Sequence, residues 1–324
     1  MRRSIGPTAC ELMIQRDDAI LITGGSGLVG TSLREHLQSQ GFTGILTPTS
    51  AECDLTNRKA VLEYFLRNKP GYVFHMAGLV RGLLYNLSNH GEAYLKNTLI
   101  NTHVIEACHE AGVKKVVAMG SVAMYPELDH GTPLTEEDVW KGPPHSSQYG
   151  YAQAKRGMLA QLQTFEASYG MPYALAFCAS LYGPHDRFNS ETGHVVPSLI
   201  KKFHDARQAK TNVTVWGDGS AHRDFLYIKD CCRALHVIMD HVSGPVNLAS
   251  GATRKIRDVV NILAAHSGMT EHTVWDTSKP SGYIYRAYDV SRLRAAGFTC
   301  QYTLEQALPE TYDWYASHAG AIRH

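Results

Sequence analysis

The chain has 324 residues, 44% of them hydrophobic, enough to bury a large core in one domain or two closely joined ones. Its 31 basic and 30 acidic side chains nearly cancel and gather in no dense Lys/Arg cluster, which argues against a nucleic-acid partner. No apolar run approaches the roughly 18 residues that a membrane helix needs, so no membrane partner is expected.

Residues 1–18 read as an extension before the first strand. Arg2 and Arg3 have no apolar stretch behind them and make no secretory signal. A strand over Ala19–Ile22 runs into Gly24, Gly27 and Gly30, and a helical pattern follows. Leu28, Val29, Leu33 and Leu37 fall on one face of it, and Arg34, Glu35 and Gln38 on the other. Gly44–Thr47 reads as the second strand, about 58–67 as a helix and Tyr72–His75 as the third strand. A long helix over Tyr94–Ala111, a strand over Lys115–Met119, a helix over about Tyr149–Tyr169 and a strand over Tyr173–Cys178 come next.

Strands alternating with helices imply a parallel sheet covered on both faces. The later half is more irregular, with a helix near Pro197–Gln208, a strand Val213–Trp216, a helix Asp230–His241 and a strand Val246–Leu248. The expected fold is α/β: a Rossmann doubly wound parallel sheet over residues 19–180, with a smaller C-terminal α/β lobe over 181–324. Segments at about 225–250 return to the first domain. The seven cysteines are scattered, odd in number and without zinc-ligand spacing, so they read as small buried hydrophobes of a reducing, cytoplasmic compartment. None of the 17 histidines forms a His-x-x-x-His set on a convincing helix, and no metal is expected.

Four segments at strand ends should converge on one cleft. In the first, Gly24, Gly27 and Gly30 allow a tight turn and a close approach of the backbone to a pyrophosphate, which the helix N-terminus holds through its unpaired N–H groups. A glycine loop can also be a mere turn, but this one follows a strand and opens a helix. The second segment is Met76-Ala77-Gly78, small enough to lie against a flat cofactor. The third, Gly120-Ser121-Val122-Ala123, offers Ser121 to a substrate carbonyl, although a serine can simply end a strand. The fourth is Ser180-Leu181-Tyr182-Gly183-Pro184. Tyr151 and Lys155 stand one helical turn apart and share a face. A phenol beside an ammonium ionises more easily, which suits proton exchange with a carbonyl during hydride transfer. The second strand ends on Thr47, Thr49 and Ser50 rather than on an acidic residue. That leaves room for a 2′-phosphate and favours NADP(H). Asp54 and Leu55 either approach the adenine or, for Asp54, cap the following helix.

With these pieces together the sequence resembles the extended short-chain dehydrogenase/reductase family, and within it the GDP-L-fucose synthase group of 3,5-epimerase/4-reductases. The motifs that carry the likeness are Thr23 to Gly30, Gly142 to Ser147 leading into Gly150-Tyr151, and Gly183-Pro184-His185-Asp186. Further along come Gly193 to Pro197, Val215-Trp216-Gly217, Arg223-Asp224-Phe225 and Asp276 to Pro280. The resemblance implies an NADP(H)-binding Rossmann domain, a lobe for a GDP-sugar, and a homodimer built on a helix bundle. It implies Ser121, Tyr151 and Lys155 as the reduction triad and His194 as an acid/base for epimerisation, although a histidine there can also cap a helix. Cofactor contacts would come from Gly24, Gly27, Leu28, Val29, Gly30, Asp54, Leu55, Ala77, Gly78, Tyr151 and Lys155. Substrate contacts would come from Ala123, Arg187, Asn189, His194, Trp216, Arg223 and Lys279, with Arg223 on the diphosphate. For Arg223 a surface salt bridge, for Trp216 core packing and for Lys279 a solvated loop are the plainer alternatives.

The chain also departs from that group. The group's cysteine two residues after the triad serine, its epimerisation base, is Ala123 here, and an alanine methyl moves no proton. Leu79 stands where bacterial members carry lysine, Arg81 falls in the usual Val-Gly-Gly segment, and Ser180 replaces an asparagine. Arg187 and Ser281 replace members of Asp-Asn-Phe and Lys-Pro-Asp-Gly. The expectation is NADPH-dependent reduction of a GDP-4-keto-6-deoxy-sugar without epimerisation, or action on a related GDP-sugar such as a 6-deoxyheptose. A nucleotide-sugar 4-epimerase or dehydratase that recycles bound NAD is the alternative, and a non-catalytic NADP sensor the third reading.

Overall fold

The computed structural model describes residues 13–128, 131–190, 193–278 and 285–320. In chain order the first half contains β1 (Ile20–Thr23), α1 (Leu28–Ser39), β2 (Ile45–Leu46), α2 (Arg58–Asn68), β3 (Tyr72–His75), α3 (Leu83–Ser88), α4 (His90–Glu110), β4 (Lys115–Met119), α5 (Tyr149–Tyr169) and β5 (Tyr173–Cys178). The second half contains β6 (Ser180–Tyr182), α6 (Val195–Ala209), β7 (Val213–Trp216), β8 (His222–Tyr227), α7 (Ile228–His241), β9 (Gly244–Leu248), β10 (Thr253–Lys255), α8 (Ile256–Ser267), β11 (Thr273–Asp276), α9 (Ser291–Ala295) and α10 (Leu304–His318).

Six strands form one sheet in the order β2-β1-β3-β4-β5-β9, every pair parallel. Along each strand alternate side chains serve opposite faces. Ile20, Ile22, Phe74 and Val117 join the core under α1 and α7, whereas Leu21, Val73, Val116 and Ala118 join the core under α2, α4 and α5. These side chains are fully buried. Each of the larger ones, Ala118 aside, contributes roughly 1.5–3 kcal/mol relative to exposure, which fixes the register of the sheet and hence the level of its carboxyl ends. The order of the strands reverses between β1 and β3, and a crevice opens outside the carboxyl ends at such a point.

Local signals set the element ends. Asn57 caps α2 by accepting from the Lys59 and Ala60 amides, and Lys69 closes that helix in the left-handed region at φ 44°. Gly170, also left-handed at φ 69°, ends α5. Two smaller sheets, β10-β8-β6 and β11-β7, lie with α6, α8 and α10 beside the main sheet. The late strand β9 pairs with β5 inside the main sheet, and α7 packs on α1.

The structure corrects several sequence-derived bounds. The second strand shortens to Ile45–Leu46, and the long helix α4 begins at His90 rather than Tyr94. The elements β8, α8 and α10 had no sequence expectation. Of the expected N-terminal extension, residues 1–12 lie outside the described residues. From Met13 onward the chain is packed: Ile14 is buried, its amide donates to Asp240 Oδ1 at 3.0 Å, and the Thr43 amide donates to the Arg16 carbonyl at 2.9 Å.

Candidate active site

The glycine turn forms the floor of the crevice. Gly24 has φ +72°, and a Cβ there would stand 2.9 Å from the Ala77 backbone. A Cβ on Gly30 would meet the Gly24 carbonyl oxygen at 2.2 Å, so the turn and the first helical turn close on each other only through glycine. Gly27 is the N-cap of α1 and has no side chain to cap it, and the first turn of α1 holds no acidic residue. Its leading N–H groups are therefore left to an anion. Leu28 and Val29 flank the turn half-buried. These features fit the pyrophosphate of a dinucleotide.

Ala77 and Gly78 continue the same wall. The Asn97 side chain clamps the strand end, accepting from the Leu79 amide at 2.9 Å and donating to the Leu79 carbonyl at 3.1 Å. A Cβ on Gly78 would lie 3.0 Å from Asn97 Oδ1 and 3.6 Å from Lys155 Nζ, so the bare glycine keeps open the space beside the lysine. Asp54 is exposed and accepts from the Thr56 amide and hydroxyl at 2.9 and 2.7 Å. The cap of α2 is Asn57, not Asp54. The Leu55 carbonyl lies 3.1 Å from His103 Nδ1. Glu52 folds back onto the Thr49 amide and hydroxyl at 2.8 and 2.9 Å, which occupies the carboxylate closest in sequence to the second strand's end.

The reacting groups gather at the ends of β4 and α5. A Cβ on Gly150 would sit 2.1 Å from the His90 carbonyl, so α5 starts directly against α4, and this contact places Tyr151. Ser121 caps the short turn Val122–Met124, accepting from the Ala123 amide at 3.1 Å, and its hydroxyl lies near enough to the Tyr151 phenol to bear on its ionisation. Ala123 is buried beside it. Lys155 is buried and its Nζ donates to the Met119 carbonyl at 2.8 Å.

One electrostatic expectation needs correction. Burial outweighs any lowering of the tyrosine by Lys155 in this arrangement. Burial pushes the Tyr151 phenol up to about 12, the Ser121 hydroxyl pulls the other way, and Cys178 adds to the rise. The lysine is itself desolvated, which brings it down to about 8, and its ammonium is directed to a carbonyl. A neutral phenol suits proton donation to a carbonyl more than abstraction from an alcohol.

His194 occupies the N-cap of α6 without a side-chain cap bond, contrary to the capping alternative. Its ring reaches solvent, yet lies among enough protein that desolvation lowers its pKa below the usual histidine value. Arg187 is exposed and Asn189 half-buried in the loop leading to it. The Asn189 carbonyl accepts from the Gly193 amide at 3.1 Å. Trp216 is 55% exposed with Lys202 Nζ 5.1 Å from its ring centre, which excludes the core-packing alternative. Arg223 projects from β8 with Nη1 donating to the His222 carbonyl at 2.7 Å, and its charge bears on Tyr288. Lys279 lies outside the described residues.

Sequence reasoning missed Arg286, whose Nη1 donates to the Val122 carbonyl at 3.4 Å beside Ser121 and Ala123. It also missed Asn97, His75 and Asn101. No motif flags these four. For the two asparagines the available signal was an amide every fourth residue on one face of a helix otherwise facing the core.

A family model described as the NAD dependent epimerase/dehydratase family matches residues 20–249. GDP-L-fucose synthase 1 of Arabidopsis thaliana is 34% identical over 318 residues, 97% of this chain and 98% of that protein. A GDP-L-fucose synthetase from Naegleria fowleri bound to NADP superposes with a TM-score of 0.88 at 31% identity, covering 96% of each chain. A GDP-mannoheptose C4 reductase from Campylobacter jejuni with NADP bound gives a TM-score of 0.84 at 27% identity, covering 93% of this chain and 99% of that one.

Proposed function

The chain belongs to the NAD dependent epimerase/dehydratase family, and on that premise we propose that it uses NADPH to reduce the 4-keto group of a GDP-linked 4-keto-6-deoxy-sugar without exchanging protons at C3 or C5. The observation that carries this reading is the Ser121 hydroxyl beside the Tyr151 phenol, with Lys155 one turn along and a methyl at Ala123.

NADPH supplies the hydride when bound. Tyr151, a neutral phenol whose surroundings raise its pKa further, gives its proton to the C4 oxygen. Ser121 holds that oxygen and the phenol on one line. Lys155 keeps a cation beside Gly78, where a ribose hydroxyl would lie. Arg223 takes the diphosphate, and Trp216, Arg187, Asn189 and His194 line the sugar and nucleotide. Binding energy from these remote contacts orients the reacting carbon.

The same reading includes a homodimer. α4 and α5 pack together and leave a groove of about 650 Å³ lined by Tyr94, Trp140, Tyr149, Gln153 and Arg156. Tyr94, Leu95, Trp140 and Tyr149 are each about half exposed, and Gly157 and Ala160 give α5 a bare stripe that admits another helix. Arg156 is buried at its base with Nε on the Met124 carbonyl at 2.7 Å, while Nη2 has no partner among the described residues. No described helix is long and apolar enough to cross a membrane. The six described cysteines are free thiols, and we assign the protein to the cytoplasm on that ground.

A panel of GDP-, UDP- and dTDP-4-keto-sugars assayed by NADPH oxidation tests the function. The GDP series should turn over fastest. Preference for another base, or turnover without NADPH consumption, would overturn the reading.

A further inference from the structure

His75 ends β3 and is completely buried, with Thr23 of β1 and Asn101 of α4 on either side, themselves buried. Its Nδ1 lies 2.8 Å from Thr23 Oγ1 and its Nε2 lies 3.1 Å from Asn101 Oδ1. An amide oxygen only accepts, so Nε2 carries the imidazole proton and Nδ1 accepts from the Thr23 hydroxyl. That hydroxyl accepts in turn from the Ala77 amide at 3.2 Å, and Asn101 Nδ2 donates to the Ala154 carbonyl at 3.4 Å.

Four hydrogen bonds therefore run in one sense, from the Ala77 amide through Thr23, His75 and Asn101 to the carbonyl of Ala154. Bonds aligned in this way polarise one another. The run begins at the loop that walls the cofactor crevice and ends one residue before Lys155. It is a cross-tie between β1, β3, α4 and α5 that uses no solvent-facing group. The charge of Lys155 also bears on the imidazole. A second cation at His75 would meet both desolvation and that charge, so the neutral ring is the form the site accepts.

We propose that His75, held as the single Nε2–H tautomer, is a positioning residue for the reduction: with Thr23 and Asn101 it sets how α5 is turned toward the crevice, and so where Tyr151 and Lys155 meet the nicotinamide. This rests on the functional reading above. A histidine that merely fills the core would affect stability but not the chemical step.

The test compares His75→Leu, His75→Gln, Asn101→Leu and Thr23→Val. Steady-state kinetics, NADPH affinity by fluorescence, thermal melting and ¹⁵N imidazole NMR are the readouts. Glutamine offers one donor toward Asn101 and one acceptor toward Thr23, so it can replace the ring's two bonds. His75→Leu and Asn101→Leu should lower kcat by about 10- to 100-fold, the scale of a misplacement near 1 Å, with KM and NADPH affinity held within about threefold. His75→Gln should recover kcat to within about threefold of the parent. Unchanged kcat in His75→Leu would overturn the proposal, as would equal losses in the Leu and Gln variants. If His75→Leu does not fold, Thr23→Val decides: a lowered kcat supports the tie and an unchanged one refutes it. In the parent protein the NMR should show the Nε2–H tautomer at neutral pH. A silent parent enzyme would overturn the functional reading, whereas the other tautomer or a charged ring would overturn this one.

Discussion

Lys155 Nζ donates to the Met119 carbonyl at 2.8 Å, so the strand that presents Ser121 two residues later also holds the cation of the site. The anchor is main chain, which fixes the ammonium whatever the neighbouring side chains do. It also explains why the lysine stays buried: one carbonyl replaces part of the water it has lost, and desolvation still brings its pKa to about 8.

The first expectation concerns pH. A depressed lysine is charged below its pKa and loses that charge as pH rises through it. Reduction needs the cation and the neutral phenol, so kcat/KM should be level near neutrality and fall by about tenfold per unit above pH ~8. Lys155→Arg should move that limb upward in whatever activity it retains. A parent profile that stays flat to pH ~10 would contradict the assignment.

Removing the Tyr151 hydroxyl tests the proton donor. Tyr151→Phe should lower kcat by roughly 10²- to 10⁴-fold while NADPH binding, followed by fluorescence, stays within about threefold of the parent. Turnover that survives the change would mean that another group supplies the proton.

The glycine turn makes a graded prediction. A Cβ on Gly30 would meet the Gly24 carbonyl at 2.2 Å, whereas one on Gly27 would make ordinary contact with it at 3.4 Å. Gly30→Ala should lower the melting temperature and abolish measurable NADPH binding. Gly27→Ala should fold normally, and any loss should appear in cofactor affinity alone. Isothermal titration and thermal melts on the two variants separate the cases.

These predictions lean on parts of the chain that differ in how readable they were. Tyr72–His75, Lys115–Met119, Tyr173–Cys178 and α5 emerged with the expected bounds because buried parallel strands are short apolar runs and α5 ends on a glycine. Of the smaller sheets, β7 emerged with its expected bounds Val213–Trp216, and the other strands did not. In β8, His222, Arg223 and Asp224 precede Phe225, so neither alternation nor an apolar run marks it. Pro309 interrupts the sequence signal of α10, yet the helix persists because Leu304, Ala307, Leu308 and Tyr312 bury one face. Tyr151 and Lys155 were legible from spacing, but the direction of the phenol's shift was not. It depends on burial and on where the lysine points, and both are tertiary facts. The tie through His75 was illegible for the same reason, since Thr23, His75 and Asn101 are brought together by three different elements.

The proposed dimer face has its own test. Ala160 is exposed on the bare stripe of α5, and Ala160→Arg should convert a dimer to a monomer in sedimentation velocity with little change in melting of the isolated subunit. A parent protein that sediments as a monomer at micromolar concentration would remove the proposal.

Reduction at C4 should proceed without proton exchange at the neighbouring carbons. It is tested most directly by running the reaction in deuterated water with a GDP-4-keto-6-deoxy-mannose and NADPH, then reading the sugar by NMR and mass. One NADPH should be oxidised per product, with no deuterium on C3 or C5. Deuterium at either carbon, or product formed with NADPH unspent, would contradict this reading.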